Sequence, residues 1–485
     1  MNGLETVPCP LHAASLASPD APAIIGPSGK LTYAELDLWV SAASESLAKI
    51  GVETGDRVAL YLPKDERYVV LLLAMIRAGI IACPVSTRFP PAGVVPLLRR
   101  AACKALVSED EDLFQAVDDA VRKLRPGALL KTDLDRIEPP DPPELSLSRA
   151  ATVVFTSGSA GAPKAALHTF GNHYYNALGS NENITLDPKH GDRWLHSLPL
   201  YHVGGLSILF RCLLAGTTMA LLDSAVPIAR SISESGATHV SLVAAQLRRL
   251  LAEDADLGGL KAILLGGSGI PEDLLDEAHG RGLPVHTSYG LTEMASQATT
   301  THPGASRDEL RTSGTALRYR RVKVAGDGEI LVSGETLFAG YLHEVGLEEP
   351  FDEAGWFHTR DTGEIDGEGR LRFAGRKDNL FVSGGENVQP EEIEAGLRRL
   401  ESVEDAVVVP VPDAEFGERP VAFVQMKKGG GPPPQDISAE LSQVLPRFKI
   451  PVSFHAWPED AGQAGMKVDR AFFRERAKRL SSEGG

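Results

Sequence analysis

Cysteine is scarce in this sequence, with four in 485 residues, at Cys9, Cys83, Cys103 and Cys212. They are scattered without metal-type spacing, so a thiolate metal site has no support, and buried free thiols in a reducing compartment are expected. Zinc and serine hydrolysis lose their usual signatures too, because the chain contains neither HExxH nor GxSxG. No run of Lys or Arg offsets the formal net charge of −16, which argues against nucleic acid as a partner. Long apolar runs are also missing. The nearest approach, residues 68–85, is broken by Arg77 and Gly79 and reads as a buried helix running into a short strand, so no membrane insertion is expected. The opening MNGLETVPCPLHAAS has no basic segment ahead of an apolar one, so no signal peptide is expected, and the cytoplasm is the expected location. No internal repeat is visible, and low complexity is confined to GGGPPP at 429–434 and the SSEGG tail.

What is present is an ordinary globular composition, 43% hydrophobic and 24% charged, over a length that calls for two or more domains. Thr32 and Glu35 form a capping-box pattern ahead of an amphipathic stretch to Ile50, Gly51 stops it, and RVALYL at 57–62 supplies an apolar strand. The same alternation recurs further along and predicts layered α/β subdomains with parallel strands. From about Gly314 the texture changes to short strands with glycine turns, a small antiparallel, β-barrel-like subdomain. Past Gly375 a smaller α+β unit is expected, which sets the domains at 1–375 and 376–485 with the boundary at 376–378.

The densest chemistry lies at 156–164, TSGSAGAPK, directly after the apolar run 152–155. Gly158 and Gly161 let backbone N–H groups approach an anion, Thr156, Ser157 and Ser159 add hydroxyls, and Lys164 adds charge, which together make a phosphate cradle. It is not a Walker A loop: that pattern needs glycine where Pro163 stands and serine or threonine where Ala165 stands. A polar surface turn without a ligand is the bland alternative for this stretch alone.

Three further segments stand in order behind it: SYGLTE at 288–293, WFHTRDTGEI around Asp361, and GRKDNLFVSGGEN opening with Arg376 and its neighbours. In this order and at these separations, over nearly the whole chain, they resemble the adenylate-forming superfamily of acyl-CoA synthetases, adenylation domains and luciferases. HTFGNHYYNALGS, LPLYHVGGLSILFR and KDNLFVSGGENVQPEEIE look most like the o-succinylbenzoate-CoA ligase branch of menaquinone biosynthesis.

The resemblance implies an Mg2+- and ATP-dependent ligase that forms an acyl-adenylate and passes the acyl group to coenzyme A. It places Thr156, Ser157, Gly158, Ser159, Gly161 and Lys164 on the β and γ phosphates, although Ala160 and Ala165 depart from the usual threonine and glycine. It makes Glu293 the magnesium ligand, Thr292 a donor to the α-phosphate, and Tyr289 with Gly290 the adenine surface beside Gly266, Gly267 and Ser268. Asp361 and Arg376 are expected on the ribose, with Arg360 where many members have glycine. Lys467 is expected to bridge the carboxylate and the α-phosphate, Ser383, Gly384 and Gly385 to line the thiol tunnel, and Asp378 to be the hinge.

On the acyl side the expected residues are His202, Gly204, Gly205, Leu206, Arg211, Ser296 and Gln297. Arg211 is the candidate for a second substrate carboxylate, with an ion pair to a structural acid as its alternative. Another carboxylate substrate, a carrier-protein acceptor and a silent nucleotide sensor stay open, as does a homo-oligomer.

Overall fold

The computed structural model describes residues 5–130, 143–156, 163–221, 225–267, 269–344, 346–383, 386–413, 416–427, 434–442, 445, 447–458, 461 and 469–483. Ser157, Gly158, Ser159, Gly161, Ser268, Gly384, Gly385 and Lys467 lie outside the described residues.

Two large sheets organise the first part of the chain. One runs in the order Gly346–Glu348, Gly340–His343, Lys164–Thr169, Ala150–Thr156, Ile81–Pro84, Arg57–Tyr61, Ala105–Ser108, Arg122–Leu124. Its pairings from Ala150–Thr156 to Arg122–Leu124 are parallel, and those on the other side are antiparallel. The other sheet runs Thr315–Ala316, Ser296–Thr300, Val285–Leu291, Ala262–Leu265, His239–Leu242, Arg193–His196, Thr218–Leu221, Pro22–Gly26, Gly29–Thr32, with a parallel centre and antiparallel edges.

The helices between the strands follow local signals. Thr32 and Glu35 form the expected capping box at the start of Tyr33–Lys49. Asp65 caps Glu66–Ala78, and Gly79 ends it in the left-handed conformation. That helix buries Val69 to Met75 without a break, as an element between layers must. Fully burying each such leucine or valine contributes roughly 1.5–3 kcal/mol. A second helix pair, Phe170–Asn183 and Val203–Ala215, packs side by side, with Phe210 edge-on to Phe170 and stacked 4.9 Å from the His173 ring.

The antiparallel subdomain is a four-stranded sheet, Arg320–Val324, Glu329–Gly334, Phe357–Ile365, Leu371–Arg376. Beyond it, Phe381–Ser383, Glu386–Val388, Val403–Asp413, Gly417–Met426 and Ser453–Ala456 form a separate sheet. Pro390–Arg398, Pro434–Leu441 and the terminal helix Arg470–Glu483 pack against it over hydrophobic clusters of its own.

All four cysteines are buried and free. Among the described residues no helix is long and apolar enough to cross a membrane. The strand Val285–Leu291 runs through SYGL, because Ser296–Thr300 supplies a new antiparallel partner where the parallel pairing with Ala262–Leu265 ends.

Candidate functional site

The segment 288–297 is the spine of the site. Its turn is built on strained backbone, with Ala295 at φ 54° and Ser296 at φ 138°, conformations unusual for residues with a side chain. Gly290 is required beside it, since a Cβ there would lie 2.2 Å from the Ser296 carbonyl oxygen.

On one side of this segment the Tyr289 hydroxyl donates to Asp361 Oδ2 at 2.7 Å, and Arg376 Nη1 stands 3.3 Å from Asp361 Oδ1. Asp361 and Arg376 are cross-strand partners, so the sheet register itself sets the pair. The Tyr289 ring is buried and lies nearly parallel to Phe373, with centroids 6.0 Å apart. Burial, and then the Asp361 carboxylate, push the Tyr289 phenol up, so it stays a donor. Ser288 Oγ donates to the Leu265 carbonyl at 2.8 Å and packs under Gly266, which brings the 266–267 turn alongside.

Thr292 and Glu293 follow in a short 3-10 turn. His168 Nε2 is 2.7 Å from the Thr292 carbonyl, and an acceptor there fixes the ring as the Nε2–H tautomer. Burial holds His168 neutral, its pKa pushed down to about 4. Glu293 Oε1 accepts from the Tyr341 hydroxyl at 2.5 Å, and the Lys164 ammonium sits 4.4 Å above the centre of the same Tyr341 ring. Thr156 and Lys164 pair across the hairpin that carries 157–162 between its strands.

On the other side, Gly204, Ser207 and Arg211 share one face of the helix Val203–Ala215 and meet Ser296 and Gln297. Ser207 Oγ donates to the Gly204 carbonyl at 2.9 Å and lies 3.3 Å from Ser296 Oγ. Arg211 is fully buried. Its Nη2 donates to Gln297 Oε1 at 2.5 Å and its guanidinium lies 5.0 Å from the centre of the Trp194 ring. Nε and Nη1 have no hydrogen-bond partner, and no acid pairs with Arg211 among the described residues. Burial lowers its pKa to about 9.

Gln297 is fixed on every side: Ser180 Oγ donates to its Oε1 at 2.9 Å, and its Nε2 donates to Thr300 Oγ1 at 2.6 Å. A second buried arginine, Arg320, donates to the carbonyls of Gln297 at 2.7 Å, Asn176 at 2.8 Å and Arg318 at 2.8 Å. Sequence reasoning missed Arg320 and Tyr341, which belong to no motif, and passed over His168, Asn176 and Ser207, which lie inside the quoted segments 168–180 and 198–211 but make their contacts with residues distant in sequence.

The remaining expectations divide. His202 is exposed at the start of the helix, with its ring edge-on to Tyr201. Gly205 admits no side chain, since a Cβ would lie 2.1 Å from the Pro199 carbonyl oxygen. Leu206 does not join the polar cluster; it is fully buried in the main core. Asp378 receives the Arg360 guanidinium, and Ser383 is buried in the separate sheet.

The chain matches the AMP-binding enzyme family over residues 11–342 and the AMP-binding enzyme C-terminal domain over 392–461. It belongs to the AMP-binding enzyme family. Within the family it is similar to the 2-succinylbenzoate–CoA ligase of Salmonella typhimurium, 34% identical over 451 residues, covering 93% of each chain. The Escherichia coli K12 protein of the same description is also 34% identical, over 93% of this chain and 94% of its own. Among solved structures, o-succinylbenzoate CoA synthetase from Bacillus subtilis in complex with its acyl-adenylate intermediate superposes with a TM-score of 0.86 at 30% identity, covering 97% and 98% of the two chains. The Bacillus subtilis enzyme in complex with ATP and magnesium ion gives 0.84 at 30% identity, covering 93% and 96%.

Proposed function

We propose that this protein is an AMP-forming o-succinylbenzoate–CoA ligase. In the first half-reaction a carboxylate oxygen of the acid attacks the α-phosphorus of ATP, the bond to the bridging oxygen breaks, and pyrophosphate leaves. In the second the coenzyme A sulfur attacks the acyl carbon of the adenylate and AMP departs, giving the thioester. Relatives of this description over nearly the full length support the reading.

The nucleotide falls to the first side of the spine. Asp361 and Arg376 would hold the ribose, Tyr289, Gly290 and the turn at Gly266, Gly267 and Ser268 the adenine, and Thr292 the α-phosphate. Thr156, Ser157, Gly158, Ser159, Gly161 and Lys164 would receive the outer phosphates. Glu293 offers a hard oxygen, and among the described residues no group of three or more His, Cys, Asp or Glu side chains could hold a metal ion. That donor set fits Mg2+, which completes its shell with phosphate oxygens and water. When bound, the ion would neutralise charge on the departing pyrophosphate. Lys467 would supply the remaining positive charge in adenylation.

The observation that carries the substrate is Arg211, a fully buried cation with two unpartnered donor nitrogens and, among the described residues, no acid paired with it. Such a charge is costly unless a ligand completes it. The ring carboxylate of o-succinylbenzoate is that ligand, with Ser296 and Gln297 as polar neighbours and His202, Gly204 and Gly205 shaping the slot, while Leu206 supports the helix from the core. The succinyl carboxylate is then the one activated.

For the second half-reaction we place the boundary between residues 1–375 and a small mobile domain, 376–485, at the 376–378 turn, with Asp378 as hinge. Ser383, Gly384 and Gly385 would line the thiol path. The cytoplasm, with its reduced thiols and its ATP and coenzyme A, is the proposed location, and neither nucleic acid nor a membrane is needed as partner. The test is to offer ATP, coenzyme A and a panel of aromatic, fatty and amino acids and to identify the thioester by mass. o-Succinylbenzoyl-CoA as the main product is the expected result, and a fatty acyl-CoA would refute the substrate.

A further inference from the structure

Lys164 and Glu293 come from elements far apart in the sequence, carry opposite charges, and touch the same side chain. Among the described residues they form no ion pair with each other. Tyr341 stands between them: its hydroxyl donates to Glu293 Oε1, and its ring face carries the Lys164 ammonium at 4.4 Å.

The scaffold around Tyr341 is rigid. The residue is 5% exposed, on a strand that pairs with the strand beginning at Lys164, with Ala166 and Tyr341 in register. Phe338 and Phe357 pack edge-on against its ring, at 4.8 and 6.5 Å between centroids. The backbone N–H of Phe338, two residues before this strand, donates to the Glu293 carbonyl at 2.8 Å, so the acid's main chain and side chain are both held from the 338–341 segment.

We propose that Tyr341 is a positioning residue that keeps Lys164 and Glu293 apart and aims the Glu293 carboxylate, so that a metal–nucleotide complex can enter between them. One carboxylate oxygen is committed to the phenol, which leaves the other for the cation. The ring satisfies the ammonium weakly, since an exposed cation–π contact is easily exchanged for phosphate oxygens. A direct lysine–glutamate ion pair would have to be broken before the nucleotide could bind; the tyrosine removes that competitor. This proposal rests on the nucleotide reading of the site above but not on the identity of the acid.

The test is calorimetric titration of the full-length protein with ATP, in Mg2+ and in EDTA, with no carboxylic acid present. Failure of the o-succinylbenzoate assignment therefore leaves this result unaffected, and a wild-type protein that binds no ATP refutes the nucleotide reading and this proposal with it. Tyr341→Phe keeps the ring and loses only the hydroxyl. It should weaken Mg·ATP binding about 10-fold, the scale of a lost hydrogen bond to a charged group, and change metal-free ATP binding less than twofold. Tyr341→Leu should weaken both, because Lys164 is then released onto Glu293. Equal Mg·ATP affinity for wild type and Y341F, a parallel loss with and without Mg2+, or an unfolded Y341F would overturn the proposal. In an E293Q background Y341F should add less than twofold; an undiminished further loss would also overturn it.

Discussion

Arg360 grips Asp378 across the turn that ends the four-stranded sheet, with Nη2 2.6 Å and Nε 2.7 Å from Asp378 Oδ1. The grip is formed by a residue in an unfavourable conformation, since Arg360 sits at φ 61° with its N–H bound to Glu329 Oε1 at 2.8 Å. A left-handed residue with a Cβ costs about 1–2 kcal/mol, whereas an exposed ion pair contributes about 0.2–1 kcal/mol. Arg360→Gly should therefore leave Tm unchanged or raised. It should also speed single-turnover thioester formation from a supplied adenylate, because Asp378 is freed. A fall of several degrees, or slower turnover, would contradict the latch.

Lys467→Ala should reduce ATP–pyrophosphate exchange by orders of magnitude, as loss of a transition-state charge does. Thioester formation from supplied acyl-adenylate should survive. Rapid-quench assays of the two half-reactions separate the outcomes, and an equal loss in both would remove the residue from adenylation.

Arg211→Met offers a trade between stability and recognition. Replacing an uncompensated buried charge with an apolar side chain can stabilise a protein by about 1–4 kcal/mol, so the midpoint of urea unfolding should rise. Over the same change kcat/KM for o-succinylbenzoate should fall at least 100-fold, roughly the discrimination expected of a site built around one polar group. The analogue lacking the ring carboxylate should be used equally by both proteins.

Stability should decline steeply below neutral pH. Burial pushes His168 down to about 4, His196 to about 3 and His239 to about 4, against about 6.5 in an unfolded chain. With folded values depressed, the unfolded state binds protons that the native state refuses, so stability is full above about pH 6.5 and is lost as pH falls toward 4. Three such groups give a slope of about 4 kcal/mol per pH unit inside that window. Urea titrations between pH 7.5 and 5 measure it, and His196→Asn should make the slope shallower.

Gly205→Ala should cost about 1–3 kcal/mol, as overpacking does, because the new methyl meets the Pro199 carbonyl rather than a movable side chain. Gly204→Ala meets only the tip of Leu198 at 3.0 Å. It should spare Tm and raise KM for the acid, which thermal melts and steady-state kinetics can check together.

Much of this was legible in the residues, for reasons that also explain the gaps. Thr32 and Glu35 mark a helix start by chemistry three residues apart, and the sequence shows both. The strand through SYGL was hidden, because its second partner arrives only after a turn at Ala295 and Ser296, and nothing in those letters announces a positive φ. Arg211 on an apolar helix reads as either a ligand for a substrate or half of an ion pair. Among the described residues no acid pairs with it, and Gln297 and Trp194 stand beside it instead, neighbours that only folding brings together. Tyr341 carries no motif at all, and its meaning lies in two charges that the sequence keeps far apart.

The polar cluster around Arg211 and the pair Asp361–Arg376 stand on different supports, one on a helix and the other on the small antiparallel sheet, and are joined through the segment 288–297. Under the proposed roles, such a layout separates what is chosen from what is done to it. Changes on the helix Val203–Ala215 and at the 296–297 end of the spine can exchange one acid for another while the machinery that spends ATP stays untouched. Descendants of such a chain could therefore acquire new carboxylates one helix face at a time, and a library confined to Gly204, Ser207, Arg211, Ser296 and Gln297 is where an engineer seeking a different thioester should begin.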